Sequence, residues 1–461
     1  MSTKIMRKGM DLTEGPVFKN LLLYAVPFIF TNILQLFFHA ADVAVVGIFV
    51  GDDAVAAVGA NGALTTLFVN LFVALSTGAN IVLSKYVGAK NVDMARKTVG
   101  TSLLLALISG CVLLAIGVPC AGLFLTIMDC DLEIVEAART YLRIYFLGAP
   151  IMMIYNFSAS ILRATGDTKR PLIFLTIGGV VNVVLNVFFV VVCNLSVAGV
   201  AIATVISNFI SAFLCVLVLV SGKDDYAKLQ FKYFRIYKDQ LKSILKIGIP
   251  TAIQSLAFSL SNVLIQSTVN GFGKVGTSAN TAAAQIDGII YTVGNAVSNS
   301  CMSFVGQNVG ARKPERIKKG IKSAILLTLM LQFALAVIFL IFAPVLLGVF
   351  LDNPEAIRMA TTRLAILGLP YFLCGFMEIF SYSIRAMGKP VISMIVGILG
   401  SVVFRVVWME VTFAIWPFFH VIFISYMASW IFTDTILLFM IIKTYKKVKN
   451  MMENNQLDYS K

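Results

Sequence analysis

The stretch RATGDTKRP, Arg163 to Pro171, sits between two long apolar runs. Its shorter counterpart RAMGKP, Arg385 to Pro390, has the same setting in the second half of the chain. In both, a glycine permits a tight turn and basic residues gather around it. A proline then opens the next apolar run, where its missing N–H costs a helix nothing. Three more pairs keep the same order. Ala25-Val26-Pro27 answers Gly248-Ile249-Pro250, Val87-Gly88-Ala89-Lys90 answers Val309-Gly310-Ala311-Arg312, and Gly148-Ala149-Pro150 answers Gly368-Leu369-Pro370. Four matches in one order at nearly constant offset mark an internal duplication.

Apolar segments long enough to cross a bilayer flank these turns throughout. They are expected at 18–49, 54–84, 98–126, 134–163, 170–193, 197–221, 243–270, 277–305, 321–350, 357–384, 391–415 and 419–442. Composition agrees. Of 461 residues, 59% are hydrophobic and 13% charged, against about 25% charged in soluble domains. With a mean hydropathy of +0.89, the chain requires lipid as its solvent.

The formal net charge is +14. A nucleic-acid partner is excluded because the bases are dispersed in the short gaps between apolar runs. With the N-terminus inside, 31 of the 37 lysines and arginines fall in inside segments. Asp52, Asp53, Asp129, Asp131, Glu133, Asp352 and Glu355 fall outside. This places both termini in the cytoplasm of a multi-pass cell-membrane protein. The charged stretch before the first run has no small-residue cleavage site, so the first span is expected to be retained.

Six spans per half bring both halves in from the same side, which makes the repeat parallel. The expected fold is an all-α integral membrane protein: twelve transmembrane helices in two pseudo-symmetric six-helix lobes around a central cleft. Residues 1–222 form the N-terminal lobe, 223–242 a cytoplasmic linker, and 243–461 the C-terminal lobe with its tail. The seven cysteines include no CxxC spacing, and His39 and His420 are too few for a zinc cluster. Neither a disulfide framework nor a metal site is inferred, and no HExxH, GxSxG or P-loop motif points to an enzyme.

Acids inside apolar runs are the best functional clues, since a charge at the bilayer centre costs about 2.5–3.5 kcal/mol on insertion scales. Asp42 is foremost. It follows Pro27, a natural bend, by fifteen residues, and His39 lies one turn earlier on the same face. Low-dielectric surroundings penalise its charged form, which suits it to take and release a proton. Asp287 and Glu378 either face the cleft and attract a cationic molecule, pair with a lysine, or sit near a helix end in headgroup water. Gln254, Ser255, Ser259 and Asn262 form a polar stripe on the seventh span. Gln254 and Asn262 are substrate-binding candidates, although helix packing explains such a stripe almost as well. Glu410 can pair with Arg405, and Asp434 lies in the last span. The bases of the two glycine turns are read as lying at headgroup level.

Six motifs carry a family resemblance: Tyr24-Ala25-Val26-Pro27 with Asp42-Val43-Ala44, ILRATGDTKRP (161–171), NVVLN (182–186), VAGVAIATVIS (197–207), FVGQNVGARKPERIKKG (304–320) and IRAMGKP (384–390). Over about residues 12–445 the chain resembles the multidrug and toxic compound extrusion (MATE) family, and within it the DinF-like bacterial group. The resemblance implies an antiporter that expels amphipathic, often cationic organic compounds, driven by protons or sodium, with no other cofactor. The chain is expected to act as a monomer whose partners are small organic substrates and membrane lipid. The family's N-lobe cation site falls on Asp42 and carries over to Asn156, Asn182, Asn186 and Thr204. Some members have a second aspartate where this chain has Asn186, so one carboxylate fewer is present, which favours protonation of Asp42 over a tight sodium site. The competing expectation is a flippase for a lipid-linked precursor, which should line its cleft with arginine and lysine.

Overall fold

The computed structural model describes residues 9–128 and 131–456. Lys4, Arg7, Lys8, Asp129, Cys130 and Lys461 therefore lie outside the described residues. The helices are α1 (Val17–Phe49), α2 (Asp52–Gly88), α3 (Val92–Ile127), α4 (Val135–Leu147), α5 (Ala149–Ala164), α6 (Lys169–Val187), α7 (Ser196–Ser221), α8 (Lys238–Asn270), α9 (Gly273–Gly310) and α10 (Pro314–Ile341). There follow α11 (Ala343–Gly348), α12 (Pro354–Gly368), α13 (Tyr371–Ala386), α14 (Pro390–Ile398), α15 (Phe404–Trp408) and α16 (Phe419–Glu453). A π-helical turn, Phe188–Val192, extends α6. Two more, Leu399–Val403 and Met409–Phe413, flank α15 and make one continuous span from Pro390 to Phe413.

Among the described residues, nine such spans are long and apolar enough to cross a membrane. The pairs α4–α5 and α12–α13 each supply one more, bent by 50° and 41°. The twelfth is α9, whose many small and polar residues lower its hydropathy. It tolerates them because almost every residue from Thr292 to Gly310 is buried, so that stretch meets protein rather than lipid. The fold is thus an all-α membrane protein with twelve spans. The two bends were not anticipated. They fall on Gly148-Ala149-Pro150 and Gly368-Leu369-Pro370, where proline removes a backbone donor and the chain starts a fresh helix.

The chain divides into two compact units. Phe30–Ala252 makes up the first, apart from the short lead-in before Leu12. The second consists of Leu12–Ile29 together with the chain from Ile253 onward. α1 and α8 are therefore shared, each changing unit two residues after its proline, Pro27 or Pro250.

Within the first unit, glycines bring helices close. A Cβ on Gly110 of α3 would run into the backbone of Pro150, and one on Gly178 of α6 into Ser211 and the Ser207 carbonyl. In the RATGDTKRP turn, Gly166 takes a φ of +100°, a conformation that favours glycine. Asp167 accepts from the Arg170 amide at 3.1 Å and pairs with its guanidinium at 3.3 Å. Burial lifts its carboxyl above the ordinary aspartate value, with Arg170 opposing. The polar segment after α7 is tied to the start of α3. Arg96 pairs with Asp225 at 2.9 Å, Tyr233 donates to Asp93 at 2.8 Å, and the Tyr237 amide donates to Thr101 at 3.2 Å.

The second unit is organised around α9. Gly294 lies against Gln332 of α10, whose amide donates to the Ile290 carbonyl at 3.0 Å, and Gly320 lies against Phe304. The N-terminal lead-in docks here too. The Leu12 amide donates to Gln307 at 3.3 Å, and Asn308 donates to the Leu12 carbonyl at 3.1 Å. Gly388, in RAMGKP, takes a φ of +88°.

Candidate functional site

Four of the sequence-predicted residues meet in the first unit. Asp42, 7% exposed on α1, receives a hydrogen bond on Oδ1 from Asn186 Nδ2 at 2.5 Å and one on Oδ2 from Thr204 Oγ1 at 3.4 Å. Asn182 donates to Thr204 at 3.4 Å and accepts from Asn186 at 3.3 Å, closing a ring of four side chains. Three elements supply it. Asn182 and Asn186 are four residues apart on one face of α6, Thr204 projects from α7, and Asp42 sits in the C-terminal part of α1. Both asparagines are buried, and Asn186 Oδ1 has no hydrogen-bond partner. The site thus holds one carboxylate, two neutral amides, one hydroxyl and an unspent acceptor.

Asn156 stands apart from this ring. It is half-buried on α5 and donates to the Met152 carbonyl of its own helix at 2.8 Å. His39 is exposed. Tyr141 and Tyr145, stacked at 6.2 Å on α4, lie within reach of the Asp42 charge. Sequence reasoning missed both tyrosines, which lie in a weakly apolar helix where only their spacing of four singles them out.

The second unit holds the other acids. Asp287 of α9, 3% exposed, forms an ion contact with Arg363 of α12 at 2.7 Å, and that guanidinium also stacks 5.2 Å from the Phe423 ring. Both side chains are buried, and Arg363 Nε has no hydrogen-bond partner among the described residues. Asp287 is thus paired, with an arginine where a lysine was expected. Glu378 of α13 accepts from Tyr291 at 3.0 Å and from Asn295 at 3.1 and 3.3 Å, and Asn299 donates on to Asn295 at 3.0 Å. Glu378 therefore sits in a neutral polar cluster on α9 and α13, half-buried, with Tyr291 exposed. Asp434 of α16 is different again: both carboxyl oxygens are buried and neither has a partner.

Several residues have partners that were not expected. Arg385, in the last turn of α13, is 5% exposed and donates to Gln254 at 2.6 Å and to Ser393 at 3.1 Å, joining α13 to α8 and α14. Gln254, 4% exposed, is thus spent on a buried arginine, while Asn262 is exposed. Arg405 does not pair with Glu410. It donates to Ser429 at 3.0 Å and lies 4.0 Å from the Tyr426 ring, leaving Glu410 exposed. Arg363 had a visible signal, being a base inside an apolar run and outside every inside loop. Among the described residues no group of three His, Cys, Asp or Glu is placed to hold a metal ion.

Comparison with known proteins identifies the family. The MatE family model matches residues 27–188 and 250–409, one match per half. The probable multidrug resistance protein YoeA of Bacillus subtilis (strain 168) is 28% identical over 383 residues, 82% of each chain. A FAD transporter of Shewanella oneidensis is 23% identical over 85% of this chain and 87% of its own. A solved outward-facing structure of a multidrug resistance MATE family transporter of the MOP superfamily superposes with a TM-score of 0.90. It is 23% identical and covers 97% of this chain and all of its own. With the family model matched in both halves and the same twelve-span fold, the chain belongs to the MATE family of membrane transporters.

Proposed function

We propose that this transporter exports amphipathic, often cationic organic molecules in exchange for protons, with Asp42 as the coupling acid. The observation that carries the reading is the buried ring around Asp42. A carboxylate there is expensive while charged, and it keeps only two hydrogen bonds. Protonation removes that cost, and an amide flip of Asn186 turns its unspent oxygen into the acceptor for the new O–H. Sodium is the weaker fit. The site offers a single carboxylate, and the two atoms that would have to part around an ion, Asn186 Nδ2 and Asp42 Oδ1, are in direct contact at 2.5 Å.

Coupling to α1 follows from the same position. Pro27 cannot donate to the Leu23 carbonyl, so α1 bends at low cost there, fifteen residues before Asp42. In the proposed cycle the proton enters from outside and neutralises Asp42. α1 then shifts about Pro27 and substrate is released. The proton leaves to the cytoplasm before the next substrate binds. The flippase reading is disfavoured because the buried arginines are engaged: Arg363 by Asp287, Arg385 by Gln254 and Ser393, and Arg405 by Ser429 and Tyr426.

The test is uptake of a fluorescent organic cation in proteoliposomes under an imposed pH or sodium gradient, for the native chain and Asp42→Asn. Native transport should follow the pH gradient and ignore sodium. Asp42→Asn should lose about 100-fold of the gradient-driven rate, the range ascribed to a positioned proton-transfer group. Full-rate, pH-coupled transport by Asp42→Asn would remove Asp42 from the mechanism.

A further inference from the structure

We infer that the recess between the start of α1 and the first turns of α10 binds the phosphate of an anionic phospholipid. The recess has a volume of about 450 Å³ and is lined by Gly15, Pro16, Val17, Arg316, Lys319 and Lys322, with Ser323 alongside as a hydroxyl donor. All of these belong to the second unit. Arg316 forms the fixed wall. Its guanidinium donates to the carbonyls of Leu12, Glu14 and Gly15 at 3.1, 3.0 and 2.8 Å, so it contributes charge but keeps its place.

Lys319 and Lys322 supply the other two charges. Both are exposed, they lie three residues apart on one helix face, and neither has an ion pair among the described residues. The adjacent acid, Glu315, is committed elsewhere: it accepts from Lys449 at 3.0 Å and Tyr445 at 3.4 Å. Glu14, the acid of the lead-in next to the recess lining, is exposed, and its backbone carbonyl already takes Arg316 and Asn20. Opposite the lysines is the N-terminal end of α1, a positive dipole end whose first turn contains no acidic side chain. Two lysines without an ion pair among the described residues thus share one recess with Arg316 and a helix N-terminus.

The choice of a lipid over free phosphate comes from the continuation of α10. Leu326, Leu329, Met330 and Phe333 are exposed, and they continue the Lys319–Lys322 face at intervals of three and four residues. A headgroup seated in the recess would lay its acyl chains along that apolar stripe. Basic recesses at the membrane face of a transporter are suited to this chemistry. The inference is independent of the coupling ion and of the substrate.

The experiment is native mass spectrometry of the full-length chain in detergent, with added phosphatidylglycerol or phosphatidylcholine. The native chain should retain phosphatidylglycerol preferentially. Lys319→Gln combined with Lys322→Gln should lower the affinity for phosphatidylglycerol by about thirtyfold, as expected for two surface lysines, and leave phosphatidylcholine unchanged. Lys446→Gln with Lys447→Gln, two exposed tail bases, should leave retention intact. Equal retention by the native chain and the Lys319/Lys322 variant overturns the site. So does equal loss in the tail variant, which would mark general charge attraction. Full displacement of phosphatidylglycerol by millimolar inorganic phosphate would also overturn it, by showing a site for the free anion.

Discussion

Asp434 and Asp42 are both aspartates within membrane spans, yet their surroundings ask different things of them. Asp42 has Asn186 and Thr204 to hold it, whereas Asp434 has buried oxygens and no donor. A buried polar group left unsatisfied costs about 1–3 kcal/mol. Asp434→Leu should therefore raise the melting temperature in detergent while leaving transport in place. A lower melting temperature would show that Asp434 is held by something it needs, and lost transport with raised stability would make it functional. Apolar context alone does not tell these two acids apart; the family motifs do. Asn182, Asn186 and Thr204 were reached through the family motifs NVVLN and VAGVAIATVIS rather than through spacing. Asn156 was not, because which carbonyl a side-chain amide chooses depends on its local helix, and here Met152 of the preceding turn is nearer at hand. The burial of Arg385 was hidden for a related reason. A base in a short polar turn reads as solvated until Gln254 and Ser393 are seen to receive it.

At the scale of elements, the spans were legible from length and apolarity. What the pattern hid was shape within a span. Gly148-Ala149-Pro150 and Gly368-Leu369-Pro370 were visible as repeats but not as bends, since hydropathy is continuous across them. The π-helical turns were likewise silent, because a one-residue change in hydrogen-bond step leaves composition unaltered. Close helix approach can be tested through glycine. Gly110→Ala places a methyl against the Pro150 backbone and should destabilise the α3–α5 contact by about 1–3 kcal/mol, the usual cost of overpacking. Gly59→Ala in α2 meets open space and should stabilise by up to about 1 kcal/mol through helix propensity alone. Scanning fluorimetry of the two variants checks both signs, and a shared direction would defeat the packing argument.

For the whole molecule, the alternation of charge makes an orientation claim that composition alone could not. In a cysteine-free background, a cysteine at Lys228 or Lys389 should react with a membrane-impermeant maleimide only from the cytoplasmic side. One at Asp52 or Asp131 should react only from outside. Labelling of Lys228 and Asp52 positions from the same face would overturn the proposed topology. The division of α1 and α8 between units also bears on biogenesis. The ribosome delivers Leu12–Ile29 long before the residues that complete the same unit, so this half-helix must wait in the membrane for later partners. A gene cut in the polar segment after α7 would yield two pieces, neither encoding a whole unit, and only their co-synthesis would restore a working carrier.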